Sequence, residues 1–352
     1  MSSRFALRAL LAAVGLAILA VPALAEDLPQ VIRFGGVGQG FGKPYGTGLI
    51  AIAQEKGFVA DQFKGTPVKL EWTFFTGTGP AINEAFANGQ LDLAQYGSIP
   101  QIIARANGVE TRIILGGGGA NIYAVARVGL PVKSLKDLKG RSVTFQKGTI
   151  LHWAALKALA ANGLSPRDVR IVDLHTPDQR AALAAGQVDA SFGSSMILPL
   201  QAQGIVKVIY TSKGTPQAIG PNALIVTDSF QKKYPDATAR VVRGFLEAAK
   251  WLAESGHQAE AIDIWAKSGV PRAVLQEDAS GSAYRDQFNP RLDAFFRWQY
   301  GDSIAFEKDQ KIIRNDVDLS KWIEPKYQDA ALAALKLKDF WPTRSAAGVP
   351  IN

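Results

Sequence analysis

Pro80-Ala-Ile-Asn-Glu-Ala-Phe-Ala-Asn-Gly-Gln-Leu-Asp-Leu-Ala-Gln-Tyr-Gly-Ser98 and Pro177-Asp-Gln-Arg-Ala-Ala-Leu-Ala-Ala-Gly-Gln-Val-Asp-Ala-Ser-Phe-Gly-Ser194 read as two copies of one unit. Pro80, Gly89 and Asp92 have the spacing of Pro177, Gly186 and Asp189. A proline opens a helix in its first turn, where its missing N–H is no loss. An Ala-rich helix follows and stops at a glycine suited to the left-handed C-cap. A brief strand and a Gly-Ser turn complete the unit. Such a strand end presents free backbone N–H groups where open α/β sheets bind their ligands. Two copies this far apart predict two similar α/β lobes with their binding edges facing each other.

The flanking patterns extend this reading. Strands are expected at 31–34, 68–75, 91–95, 112–115 and 122–127, with helices at 49–56, 80–88 and 99–106. A new lobe then begins, with strands at 142–145, 169–173 and 206–210 and a strong helix over 150–161 that ends at Asn162-Gly163. A strand at 223–226 returns the chain to the first lobe. Beyond Ser229 the spacing is helical, most clearly in Val241, Val242, Phe245, Leu246, Ala249 and Leu252. Alternating strands and helices predict an α/β fold with two mainly parallel sheets, helices on both faces and a cleft between lobes. The expected division is lobe I over 26–119 and 219–352, and lobe II over 120–218. Two crossings rich in Gly or Pro, near Gly119–Asn121 and Thr215–Asn222, would serve as hinges.

Arg4 and Arg8, the apolar run 9–21 and Ala23-Leu24-Ala25 have the form of a cleavable signal peptide over 1–25, too short to span a bilayer. This predicts a periplasmic protein. The sequence has no cysteine, which excludes disulfides, thiolate metal sites, a cysteine nucleophile and a lipid-anchored cysteine. The net charge of +8 is scattered over 352 residues with no dense basic-aromatic stripe, so no nucleic-acid footprint is present.

Three segments share one physical meaning. Thr78-Gly79-Pro80, Gly97-Ser98-Ile99-Pro100 and Gly148-Thr149 each place small residues at a strand end before a helix N-terminus. Such sites offer unpaired N–H donors and partial positive charge, and together they suit an anion. His152 falls in the first turn of the third helix, where imidazolium is disfavoured. Lys43 and Lys147 are candidate complements to an anion. The glycine-rich run 36–43 fails both the dinucleotide and the P-loop spacing. It reads as a loop that touches a ligand. No H-E-x-x-H, no paired metal-ligand histidines and no G-x-S-x-G occur, so neither cofactor nor metal is expected.

Phe145-Gln-Lys-Gly-Thr-Ile-Leu-His152, Thr78-Gly-Pro80, Leu91-Asp-Leu93 with Gly97-Ser-Ile-Pro100, Leu135-x-x-Leu-Lys-Gly140 and Gly186-x-Val-Asp-Ala190 resemble the periplasmic solute-binding proteins of ABC importers for aliphatic sulfonates, taurine and nitrate. Thiamine-pyrimidine binders belong to the same broader group. The resemblance is good over about 30–230 and loose beyond. It implies the two-lobed periplasmic-binding-protein fold of type II, a monomer that closes on one small anion, and transient delivery to a membrane permease. It carries ligand contact onto Gln39, Gly40, Phe41, Thr78, Gly79, Gly97, Ser98, Ile99, Lys147, Gly148, Thr149 and His152, with Asn121 and Asn222 at the crossings. One departure concerns Ser194 and Ser195, which stand where the family often has a tryptophan and an acidic residue. That speaks against taurine, whose ammonium wants a carboxylate, and for a larger sulfonate or a sulfate ester. Nitrate or a pyrimidine remains an alternative ligand, and an enzyme on the same scaffold an alternative function.

Overall fold

The computed structural model describes residues 27–351, so the expected signal peptide lies outside the described residues. Ten strands are present among them: β1 Val31–Val37, β2 Lys69–Phe75, β3 Leu93–Gly97, β4 Thr111–Ala120, β5 Tyr123–Arg127, β6 Ser142–Phe145, β7 Arg170–Asp173, β8 Ala190–Gly193, β9 Val206–Thr211 and β10 Gly220–Thr227. They form two five-stranded sheets, ordered β2-β1-β3-β10-β4 and β7-β6-β8-β5-β9. The second order repeats the first. In each sheet four strands run one way. The fifth, β10 or β5, pairs antiparallel with both neighbours. The sheets are therefore mixed rather than simply parallel. The reversed strand in each is the one that has just crossed from the other sheet.

The repeated motif has the same bonding in both copies. Gly89 and Gly186 take positive φ, 67° and 74°, as the C-cap requires. Gln90 N–H reaches Ala85 O, as Gln187 N–H reaches Ala182 O. Each repeat aspartate then clamps its strand to a neighbouring parallel strand, β1 in the first sheet and β6 in the second. Asp92 N–H donates to Arg33 O at 3.0 Å, and Arg33 N–H returns to Asp92 Oδ2 at 2.9 Å. Asp189 N–H donates to Ser142 O at 3.0 Å, and Ser142 N–H returns to Asp189 Oδ2 at 2.9 Å. These side chains complete the sheet ladder just where strand pairing begins.

The chain after Thr227 packs on both faces of the first sheet. Helix Pro235–Ala253 buries Val241, Val242, Phe245, Leu246 and Leu252 against Phe34, which stacks on Trp72 at 4.0 Å. Helix Ala294–Asp309 covers the other face with Phe296 and Tyr300, beside the buried Trp322. Tyr300 Oη donates to Gln101 Oε1 at 2.7 Å, and Gln101 Nε2 donates to Tyr96 O and Ala223 O. Around the second sheet, helix Ile150–Ala161 presses Trp153, Leu156 and Leu159 toward Phe145 and Phe192.

Two chain segments link the sheets, residues 121–122 between β4 and β5 and residues 212–219 between β9 and β10. They are bonded to each other: Ile122 N–H donates to Ser212 Oγ and Ser212 N–H to Ile122 O, both at 2.9 Å. The glycines at the end of β4 continue the strand instead of ending it, unlike the reading from sequence. Gly117 packs where any Cβ would collide with Asn222 and Gln95.

Removing either clamp leaves a strand N–H unpaired, a loss of about 1–3 kcal/mol when the group is buried. Asp92→Ala and Asp189→Ala are each expected to lower the urea midpoint clearly more than the exposed control Asp178→Ala. Equal midpoints would assign the motif's aspartates no structural role.

Glu307 is fully buried, and neither carboxyl oxygen has a partner. Burial pushes its pKa up to about 9. The unfolded chain releases this proton near the ordinary glutamate value of about 4.3. The folded state then holds more protons between these values, so stability is greatest below the lower one and falls as pH rises through the higher. Glu307→Gln cannot ionise. Its melting temperature is expected to match the parent near pH 5 and to exceed it near pH 9. A parent melting temperature that does not decline over that window relative to the variant would contradict the assignment.

Candidate functional site

A cavity of about 240 Å³ lies between the sheets, lined at one side by the Asn121–Ile122 crossing and by Gly220 and Asn222 of β10. Its wall includes Gln39, Thr78, Gly79, Gly97, Asn121, Thr149, Ser194, Ser195 and Asn222 from the residues expected to meet a ligand. Several helix N-termini open onto it, among them those of Thr78–Ala87 and Ile150–Ala161. Gly79 permits this crowding, because a Cβ there would strike the Pro100 ring. Thr78 adopts φ 58°, a left-handed conformation that costs a β-branched residue of order 1–3 kcal/mol. Its hydroxyl lies 3.3 Å from Gln146 Oε1, across the cavity from its own sheet. Thr149 caps its helix, accepting from Leu151 N–H at 3.2 Å and donating to Gln146 O at 2.7 Å. The Ser194 and Ser195 hydroxyls make no hydrogen bond among the described residues and remain available.

The structure does not bring the other expected residues into the wall. Ser98 is fully buried, with its hydroxyl 3.1 Å from Ser303 Oγ on the far side of its helix. Ile99 is in the core with Phe145 and Trp153. The reason is shared: helix Ala294–Asp309 packs over this turn and takes its side chains, leaving Gly97 and Pro100 to face the cavity. Lys147 is exposed, with its backbone N–H on Asp173 Oδ1 at 2.9 Å, and Gly148 turns the chain at φ 67°. Lys43 is exposed as well. His152 stacks on Phe145 at 5.5 Å and meets Phe306 edge-on at 5.8 Å. Burial lowers its pKa, with Lys147 adding to the effect, so the ring is neutral at physiological pH.

Gly40 and Phe41 clasp the opposite sheet's helix instead of facing the cavity. Arg180 Nη2 donates to Gly40 O at 3.1 Å, and its guanidinium lies 4.2 Å from the Phe41 ring centre. Burial depresses the Arg180 pKa without making the group neutral. Helix Ala294–Asp309 is tied to helix Ile150–Ala161 by Asp302, which accepts from Trp153 Nε1 at 3.1 Å and pairs with Lys157 at 2.6 Å.

Several wall residues escaped the sequence reading. Gln95 is 6% exposed; its Nε2 donates to Gly117 O and Asn222 Oδ1, and its Oε1 has no partner. A signal existed: counted from the shared aspartate, Gln95 falls where the second copy has Phe192. Trp265, Tyr284 and Phe288 form a three-ring wall with centroids 5.3–5.7 Å apart. Asp278 also lines the cavity, accepting from Asn121 Nδ2 at 3.0 Å and Tyr123 Oη at 2.6 Å. No local pattern marks these four, because their helices reach the cavity only through tertiary packing. Asp278 is the one charged side chain in the wall among the described residues. No cluster of three potential metal-ligating side chains occurs among the described residues, and no helix there is long and apolar enough to cross a membrane.

This arrangement can hold a solute at two helix termini, two free serine hydroxyls and an apolar wall, with the Gly40–Phe41 loop clasped across the mouth. Loss of the Arg180 side chain removes a hydrogen bond and a cation–π contact that join the two halves. Arg180→Ala is expected to have a larger radius of gyration than the parent in small-angle scattering. Equal radii would mean that the clasp does not hold the halves together.

The family model described as NMT1/THI5 like matches residues 43–259. A protein of Bacillus subtilis (strain 168) named as an aliphatic sulfonates-binding protein is 29% identical over 218 residues, 61% of this chain and 65% of its own. Its counterpart in Escherichia coli (strain K12) is 34% identical over 170 residues, 47% of this chain and 50% of its own. The chain thus spans between half and two thirds of the length of these curated relatives. The crystal structure of a sulfonate ABC transporter's periplasmic sulfonate-binding protein, SsuA from Methylobacillus flagellatus KT, superposes with a TM-score of 0.80 at 26% identity, covering 91% of this chain and 98% of that one. The desulfurization enzyme DSZB shares the fold at 17% identity, with a TM-score of 0.68 and coverage of 87% and 99%.

Proposed function

Because the chain belongs to the NMT1/THI5-like family, we propose that it is a periplasmic receptor that captures a sulfonate or sulfate ester and hands it to an ABC permease. The observation that carries this reading is the convergence of two helix N-termini and two unpartnered serine hydroxyls on one cavity wall that holds no lysine, arginine or histidine. Each helix terminus favours an anion by about 0.3–1 kcal/mol when exposed and up to about 2 when partly buried. Hydrogen bonds to a charged group add about 1.5–3 kcal/mol each. Such a set holds a delocalised anion without a counter-charge. The anionic head then sits by Thr78-Gly79, the Thr149 helix and Ser194, with the apolar body toward Trp265 and Phe288. Closure turns about residues 121–122 and 212–219 and is fastened by Arg180. The names of the relatives support the sulfonate class and the periplasmic setting.

The shared fold of a desulfurization enzyme leaves the scaffold neutral between binding and catalysis. What supports binding is that His152, the one imidazole expected to meet the ligand, is committed to a stack between Phe145 and Phe306.

Isothermal calorimetry with benzenesulfonate, nitrate and 4-aminopyrimidine tests the reading. Saturable binding is expected for benzenesulfonate alone. Ser194→Asp, which sets a like charge beside the head group, is expected to weaken it by more than tenfold. Nitrate or pyrimidine binding in its place would overturn the ligand class, and a product released from the bound sulfonate would overturn the receptor role.

A further inference from the structure

A second cavity, of about 310 Å³, lies against the chain crossings. Pro216 and Ile219 of the second crossing, Phe295 and Phe296 of helix Ala294–Asp309, and Pro342 and Pro350 give it an apolar wall. The C-terminal stretch is held by its own bonds, Ser345 N–H to Val349 O at 2.8 Å and Ile351 N–H to Thr343 O at 2.9 Å. It is also moored to the crossing, where Gln217 Nε2 donates to Ala347 O at 2.9 Å. Helix Ala294–Asp309 holds the same crossing through Gln299 Nε2, which donates to Pro216 O at 3.4 Å. By this volume measure one water needs about 10–15 Å³, so the space admits a ring with a short side chain.

The polar groups of this wall favour a donor. Arg344, its one cationic residue among the described residues, is committed to Asp293 at 2.8 Å and lies 4.9 Å from the Phe295 ring centre. Lys213, next to Gly214 of the wall, donates to Glu277 O and Ser280 Oγ. Asp286 is exposed and has no ion-pair partner among the described residues. Gln287 Oε1 is buried without a hydrogen bond, while Gln287 Nε2 is held by Gly119 O at 3.3 Å. A free carboxylate and a free amide oxygen beside aromatic and proline surfaces suit an apolar ammonium. Gly119, Asn121 and Gln287 line both this cavity and the one between the sheets. A turn of the crossings that reshapes one cavity therefore reshapes the other. A molecule seated here favours the arrangement in which Arg180 clasps the Gly40–Phe41 loop.

We propose that the second cavity is a regulatory site for a small apolar amine, and that its occupation tightens solute binding between the sheets. The site stands apart from the sulfonate reading; the coupling rests on that reading.

Calorimetry with phenethylamine on the full mature protein, with no sulfonate present, tests the site. Saturable binding is expected. Asp286→Asn changes an exposed side chain and is expected to weaken it about threefold or more. Ala283→Trp, at another exposed wall position, fills the cavity and is expected to abolish binding without lowering the melting temperature. No binding by the parent, or binding untouched by Ala283→Trp, overturns the site. If Ala283→Trp has no melting transition, Asp286→Asn decides, and unchanged affinity then overturns the site. Saturating benzenesulfonate is expected to raise the phenethylamine affinity about fivefold, and phenethylamine to raise the benzenesulfonate affinity by the same factor, because coupling is reciprocal. Unchanged affinities overturn the coupling. Mutual exclusion puts the amine in the first cavity and overturns the proposal. Absence of benzenesulfonate binding overturns the sulfonate reading and the coupling, and leaves the site to be decided by phenethylamine alone.

Discussion

The chain crosses between its two sheets twice, and each crossing delivers a strand into the middle of the sheet it enters. β5 lies between β8 and β9, and β10 between β3 and β4, each antiparallel to both neighbours. A strand inserted centrally cannot be lost without unpairing two ladders. The halves are therefore tied by two covalent crossings that each half needs for its own sheet. The crossings are also bonded side by side through Ile122 and Ser212. These few residues are the chain links between the sheets among the described residues, and the cavity lies between the sheets beside them. β4 carries its glycines here for packing: the bulk of a side chain at Gly117 would displace Gln95 and Asn222, which hydrogen-bond to each other in the wall.

The electrostatics follow from the same constraint. A buried arginine or lysine in the wall would lose its hydration whenever the cleft stood closed without ligand. Helix termini carry their partial charge as part of the backbone, and their donors need no extra ordering on binding. Arg180 lies outside the wall, where the Phe41 ring and Gly40 carbonyl satisfy part of it and join the two halves. The one charged side chain of the wall among the described residues, Asp278, is negative and disfavours an anion placed beside it.

How much of this was legible in the sequence depended on how local each signal was. The repeat is local. Its proline, glycine and aspartate sit within thirteen residues of one another (80–92) and predicted both lobes. The helix Ile150–Ala161 was read with its observed bounds because Thr149 and Asn162-Gly163 mark its ends. Residues placed at helix starts reached the cavity when their backbone was the feature that mattered, as at Gly79, Gly97 and Thr149. The reading failed where a side chain's direction mattered. Ser98 was captured by Ser303, which lies about two hundred positions later in the chain. The repeat aspartates, passed over as mere motif markers, turned out to clamp strand pairing. Asp278, the one charged side chain of the wall among the described residues, lies on a helix with no distinctive local pattern.

This division has a consequence for how such a scaffold changes ligand. The head-group side of the cavity is made by helix starts and strand ends whose positions are fixed by sheet pairing. Its geometry cannot be altered without disturbing a sheet. The far wall is made by short segments that belong to no sheet: Arg272–Ala279, which rests on helix Gln258–Ala266 and the Ser195–Ile197 turn, and Tyr284–Gln287, which rests on helix Pro235–Ala253, on β4 and on Trp265. Substitution there alters ring, charge or volume at the cost of side-chain repacking alone, which volume-conserving changes keep to less than about 1.5 kcal/mol. On the proposed reading the first part meets the head group and the second, which lies past the family-matched residues 43–259, meets the body of the ligand.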